Sequence, residues 1–136
     1  GVMHSEFNHS QSQPVHFLQI WIQPDVAGIA PEYEQKRFEP EEKRGRLRLV
    51  ASPDGADGSV RIHQDARLFI GLLDGAERTA LEVAPGRKLY VHVARGKVTA
   101  NGEALDAGDA LKLTDTPLLS LADGADAEVL VFDLPE

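Results

Sequence analysis

From Leu47 to the C-terminus, turn dipeptides recur too often for a helix of useful length to form between them. Pro53-Asp54-Gly55, Asp57-Gly58, Asp74-Gly75, Pro85-Gly86, Asn101-Gly102, Gly108-Asp109 and Asp123-Gly124 separate short apolar runs. Glycine and asparagine take up the positive φ that tight turns need, and proline presets the turn's first φ. The runs between them predict strands at 47–51, 59–63, 67–74, 79–84, 88–95, 97–100, 103–105, 109–113, 118–121 and 127–133. Asn101-Gly102 sits between Val98-Thr99-Ala100 and Glu103-Ala104-Leu105 as a two-residue hairpin signal. Short strands at this spacing predict an all-β antiparallel sandwich or jelly-roll barrel.

Composition limits what such a fold does. The chain has 136 residues, 42% of them hydrophobic, which suits one domain or one domain with a piece of another. Fourteen basic against twenty-two acidic residues give a net charge of -8, which speaks against nucleic acid or an anionic membrane as partner. With no cysteine, disulfides, thiolate chemistry and Cys-based zinc sites are excluded. No apolar run approaches the roughly 20 residues of a membrane span, and no charged-then-apolar leader opens the sequence. The expectation is a cytoplasmic protein that does not engage membranes.

The first 45 residues differ in kind. Val15-His16-Phe17-Leu18-Gln19-Ile20-Trp21-Ile22 is β-branched and aromatic with apolar side chains on both faces, which predicts a strand covered on both sides and ended by Pro24. Lacking evident sheet partners, it is expected to pair with a neighbouring chain, giving self-association through 15–22, or to fold over the following barrel. Residues 25–45 read as a linker broken by Pro31, Pro40, Gly28 and Gly45, in which Tyr33 and Phe38 pin a solvated run of mixed charge to the body.

Chemistry concentrates at the start, in Gly1-Val2-Met3-His4-Ser5-Glu6-Phe7-Asn8. In an extended strand residues i and i+2 share a face. His4 and Glu6 therefore can offer an imidazole nitrogen and a carboxylate oxygen to one metal ion. The plainer reading of the same spacing is a polar strand face near a chain end. His9, in the turn 8–14, and His16, on the next strand, are the nearest further imidazoles, and Asn8 reads as a turn residue. His92 shares a face with Tyr90 and Ala94 and reads as a buried or rim imidazole, while His63 abuts a turn and is expected to be exposed. The aspartates sit mostly where they cap turn amides. No nucleophile elbow, phosphate loop or Ser/His/Asp spacing occurs.

These residues also carry a family resemblance. Gly1, His4 and Asn8 match the second cupin motif, a glycine-containing turn before a histidine with an asparagine after it. The string His4-Ser5-Glu6-Phe7-Asn8, then 14–22, then Pro31-Glu32-Tyr33-Glu34-Gln35-Lys36-Arg37-Phe38, resembles the pirin family of bicupins, some of whose bacterial members are quercetin 2,3-dioxygenases. The likeness is specific over 1–38 and weaker over 46–136. It implies that residues 1–24 are terminal strands of a first, metal-binding cupin, 25–45 a linker, and 46–136 a second, metal-free cupin barrel. It also implies that His4 and Glu6 are the last two ligands of a divalent metal, Fe(II) by preference. A His-x-His pair supplies the first two and has no match here.

In the second barrel a metal-binding cupin would show His-x-His and then a glutamate before Gly96. No His-x-His occurs, Lys88 stands about where the glutamate would fall, and Ala107-Gly108-Asp109 is not followed by histidine. Two functions of different class stay open. One is a flavonol dioxygenase in the intact parent, with Glu6 as ligand and proton acceptor and this chain inactive alone. The other is a pirin-like binding or regulatory module that contacts a protein partner.

Overall fold

The computed structural model describes residues 2–136. Gly1, the glycine of the second-motif match, lies outside the described residues. A short helix α1 (Pro40–Lys43) leads into eight strands: β1 (Leu47–Ser52), β2 (Val60–Arg61), β3 (Arg67–Leu73), β4 (Thr79–Glu82), β5 (Lys88–Ala100), β6 (Glu103–Asp106), β7 (Ala110–Leu113) and β8 (Leu118–Leu134). A single 3₁₀ turn, Ala56–Gly58, joins β1 to β2. The sheet runs β2-β1-β3-β8-β5-β6, with β4 added to β8 and β7 to β5. All pairings are antiparallel except β1 with β2. The result is the expected all-β, cupin-type jelly roll.

Two predicted breaks are not breaks. The segments expected at 88–95 and 97–100 form one 13-residue strand, β5, and those at 118–121 and 127–133 form the 17-residue β8. Their mutual register runs from Lys88↔Leu134 to Ala100↔Leu121 and shifts three times between Val93 and Thr99. Gly96 (φ 66°), Asp123 (φ 53°) and Asp126 (φ 46°) supply left-handed residues at this bend. Such residues produce β-bulges, which curve a strand without ending its ladder. Asp123-Gly124 is therefore a bulged bend, not a turn. No β-carbon fits at Gly96, because it would overlap the carbonyl oxygens of Ala125 and Asp126.

Asn101-Gly102 behaves as predicted. Both residues have positive φ (47° and 86°), closing the β5–β6 hairpin in which Ala100 pairs with Glu103. The Asn101 side chain also ties the hairpin to β8, donating to Leu118 O (3.0 Å) and accepting from Ser120 N (2.7 Å).

Alternation along the strands gives the sheet two apolar faces. The barrel interior holds Leu73, Leu89, Val91, Val93, Val98, Leu119, Leu121, Val129 and Val131. The outer face of β1, β3 and β8 carries a second cluster of Val50, Leu68 and Leu130, with Phe38, Ile70 and Phe132 packed on it. Tyr90 meets Phe132 edge-on, ring centroids 5.9 Å apart.

Before Pro40 the described residues form no hydrogen-bonded strand. The 15–22 strand is thus corrected to an extended segment without a ladder partner. It lies over the barrel, its residues 18–22 facing Tyr90, His92 and the end of β8 across a cavity. Leu18 and Ile20 are partly covered (40% and 42% exposed), whereas Phe17 and Trp21 are exposed at 58% and 86%. Tyr33 does not pin the linker. It is exposed, and its hydroxyl donates only to Gln35 Oε1 at 2.6 Å. Phe38 does pin it, packing on the outer cluster beneath the Arg48 guanidinium, 5.0 Å from the ring centroid.

The mixed-charge run is less solvated than its composition suggests. Lys36 Nζ donates to Ser59 O (2.8 Å), Arg61 N donates to Glu34 Oε2 (2.9 Å), and Arg48 pairs with Glu42 (3.3 Å). Together with Asp25 N to His63 O (2.9 Å), the Lys36 and Glu34 bonds strap residues 25–36 along the β2 edge of the sheet.

Candidate metal centre

His4 and Glu6 lie in the irregular segment ahead of Pro14, outside any sheet ladder. His4 Nδ1 is 3.9 Å from Glu6 Oε1, and both side chains are more than half exposed. The two donors thus stand close together, although the segment is not the strand from which their shared face was expected. An imidazole nitrogen and a carboxylate oxygen suit a divalent first-row metal, and one histidine with one carboxylate is two-thirds of the facial arrangement used by non-haem iron sites.

The remaining candidates do not join them. Asn8 is occupied as a turn residue, donating to Gln13 O (2.6 Å) and accepting from Ser10 N (3.0 Å). His9 and His16 are exposed and make no cluster with the pair. Among the described residues no group of three or more His, Asp and Glu side chains converges enough to hold a metal. The residues present thus fit two positions of a metal shell in donor type, and no third donor joins them among the described residues.

The barrel places its ionisable groups in structural roles. Lys88, exposed at the start of β5, pairs with Leu134 on β8. Arg87 Nε donates to Asp133 Oδ1 (2.7 Å) and Nη1 to Asp65 Oδ2 (2.6 Å). Burial works against the Arg87 charge, yet the hydrogen bonds and negative charge of Asp133 and Asp65 outweigh it and raise the guanidinium above its ordinary pKa. The Ala56 amide and the Ser52 hydroxyl hold Asp54 below the usual aspartate range. His63, expected to be exposed, is half-buried against the linker, its Nε2 3.1 Å from Glu32 Oε2. That contact borders a cleft of about 1320 Å³ between residues 22–34 and 60–64.

Comparison with known proteins agrees with this architecture. The family described as the quercetinase C-terminal cupin domain, of pirins, matches residues 49–134. The chain belongs to the pirin family. Quercetin 2,3-dioxygenase of Escherichia coli K12 is 40% identical over 135 residues, covering 99% of this pirin chain and 57% of that protein. A pirin-like protein of Caulobacter vibrioides is 31% identical over 135 residues, covering 98% and 57%. The crystal structure of the bacterial pirin YhhW of Escherichia coli in complex with nickel(II) superposes with a TM-score of 0.78 at 40% identity, over 85% of this chain and 48% of that one. This pirin chain therefore spans about half the length of the relatives it matches.

Proposed function

We propose that the whole protein to which this chain corresponds is a metal-dependent dioxygenase acting on flavonols such as quercetin. In this reading residues 1–24 belong to a first, metal-binding cupin, 25–45 link it to a second, metal-free cupin over 46–136, and His4 and Glu6 are two of the metal's ligands. The supporting observation is the convergence of His4 Nδ1 and Glu6 Oε1 to 3.9 Å, in a chain 40% identical to a bacterial quercetin 2,3-dioxygenase across nearly its full length. The metal is a divalent ion, which the nickel(II) complex of the related pirin supports, and Fe(II) is the ion proposed.

Such an ion supplies Lewis acidity toward the substrate's hydroxyl and keto oxygens. His4 and Glu6 hold it by nitrogen and oxygen. Glu6 also takes up the flavonol hydroxyl proton once that hydroxyl comes within hydrogen-bond reach, about 2.6–3.2 Å. Two ligands alone bind metal weakly, so the present chain by itself is expected to lack the activity. Among the described residues no helix is long and apolar enough to cross a membrane, and a cytoplasmic setting is proposed with the enzyme.

The test is metal content by elemental analysis in the longer protein containing this sequence. His4→Ala is expected to reduce near-stoichiometric metal to a trace. Full metal content in that variant would rule out the ligand assignment. A second reading, a binding module contacting a protein partner, draws on the exposed apolar side chains Met3, Phe7, Phe17 and Trp21. An inert longer protein that holds no metal yet retains a partner through those residues would favour it.

A further inference from the structure

The segment 18–22 does not seal against the sheet beneath it. Between them lies a cavity of about 370 Å³, within the range of small-molecule sites, roughly 300–1,000 Å³. Its floor is one face of β5 and β8, where Tyr90 pairs with Phe132 and His92 with Leu130. Its opposite wall is Ile20, Trp21 and Ile22. The lining is apolar and aromatic with three polar interruptions, Gln19 on the segment and Tyr90 and His92, adjacent on the strand face. Both residues are half-buried. Among the described residues no side-chain hydrogen bond engages the Tyr90 hydroxyl or the His92 imidazole, although every fully buried side-chain polar atom has a partner. An apolar slot with a few convergent, unengaged polar groups is the usual form of a ligand site.

We infer that this slot binds a planar phenol of two or three rings, its rings against Phe132, Ile20 and Ile22 and its hydroxyl against His92 and Tyr90. Imidazole and phenol can each donate or accept, so together they satisfy both the proton and the lone pairs of one ligand hydroxyl. A cation is not recognised, because no carboxylate lines the slot. The inference does not depend on the metal reading, since none of these residues is His4 or Glu6.

Trp21, the chain's single tryptophan, borders the slot and reports on it. The probe is 2-naphthol, with naphthalene as the control lacking the hydroxyl, titrated against Trp21 fluorescence. Saturable quenching by 2-naphthol is expected. Tyr90→Phe and His92→Leu are each expected to weaken it about tenfold, as loss of a hydrogen bond to a desolvated hydroxyl does. Naphthalene should bind about tenfold more weakly than 2-naphthol. Glu103→Gln, exposed on β6 and outside the slot, should change nothing. Circular dichroism and the thermal midpoint check that each variant is folded, and a variant that fails is replaced by His92→Gln. Equal affinity for the two probes, loss of quenching only in Glu103→Gln, or no saturable quenching by 2-naphthol would each overturn the assignment.

Discussion

Arg87 and Asp133 close one end of the barrel through two hydrogen bonds, Nε to Oδ1 at 2.7 Å and Nη2 to the Asp133 carbonyl at 3.2 Å. The same guanidinium reaches Asp65 through Nη1 to Oδ2 (2.6 Å) and Nη2 to the carbonyl (3.0 Å). One side chain thus joins the β4–β5 turn, the β2–β3 turn and the end of β8, with both Arg87 and Asp133 mostly shielded from water (12% and 14% exposed).

Removing Arg87 leaves Asp133 shielded and unpaired. Arg87→Ala is expected to destabilise the barrel by about 2–3 kcal/mol. That lowers Tm by about 10 °C for a domain of this size. Arg87→Lys should recover only part of the loss, since an ammonium cannot present the planar fork that meets two carboxylates. Thermal unfolding followed by far-UV circular dichroism measures both, and an unchanged Tm in Arg87→Ala would show the network to be dispensable.

Gly96 is required twice over, by its positive φ of 66° and by the carbonyls of Ala125 and Asp126 packed where a side chain would stand. Gly96→Ala is expected to cost about 3 kcal/mol or more, as strain and overpacking combine. Gly86→Ala, at a φ of 78° but with open space around it, isolates the strain and should cost only about 1 kcal/mol. Denaturant midpoints at constant m-value separate the two.

The strap along β2 has a sign-defined pH response. A hydrogen bond and ion pair from Lys36, together with the Arg61 amide, hold the Glu34 carboxyl below its ordinary pKa. The contribution of a depressed carboxyl is complete above its unfolded pKa, about 4.3, and is lost as pH falls through the lower folded value. The Arg61 amide proton shift should therefore titrate with a midpoint below about 4.3, and Glu34→Gln should abolish that titration. A midpoint above the unfolded value would contradict the strap.

Exposed apolar side chains at Phe7, Phe17 and Trp21 line the N-terminal segment. Patches of this kind favour association. Sedimentation velocity is expected to show concentration-dependent self-association of this chain, shifted toward monomer by the double variant Phe17→Ser, Trp21→Ser. A wild-type chain that stays monomeric throughout would remove the segment as a contact surface.

Much of the barrel is legible in the sequence because its turns are local. Asn101-Gly102 needs only its own φ preferences to be read. Asp123-Gly124 has the same local chemistry but a different outcome, because the neighbouring β5 continues the ladder past it, with Lys97 against Ala125 and Thr99 against Ala122. Turn and bulge signals are alike in one strand and are told apart only across two. The closeness of His4 and Glu6 is legible from their separation of two residues, which is also local. The Tyr90–His92 slot is not, since it exists only where residues 18–22 lie over β5 and β8, more than 60 positions away in the chain. Tyr33 and Phe38 show the same limit: both are aromatics among charges, and only the position of Arg48 and the outer cluster decides which one is anchored.

Strands β5 and β8 each pass through the bend and serve both halves of the sheet, β7 and β3 on one side, β6 and β4 on the other. Neither half can open while the other stays paired, because each would have to break the same two strands. The barrel should therefore melt as one cooperative unit, with the slowest amide exchange shared along β5 and β8 from end to end. It would also resist being split into complementing fragments at the bend, whereas a cut in the β6–β7 or β1–β2 connection spares both shared strands.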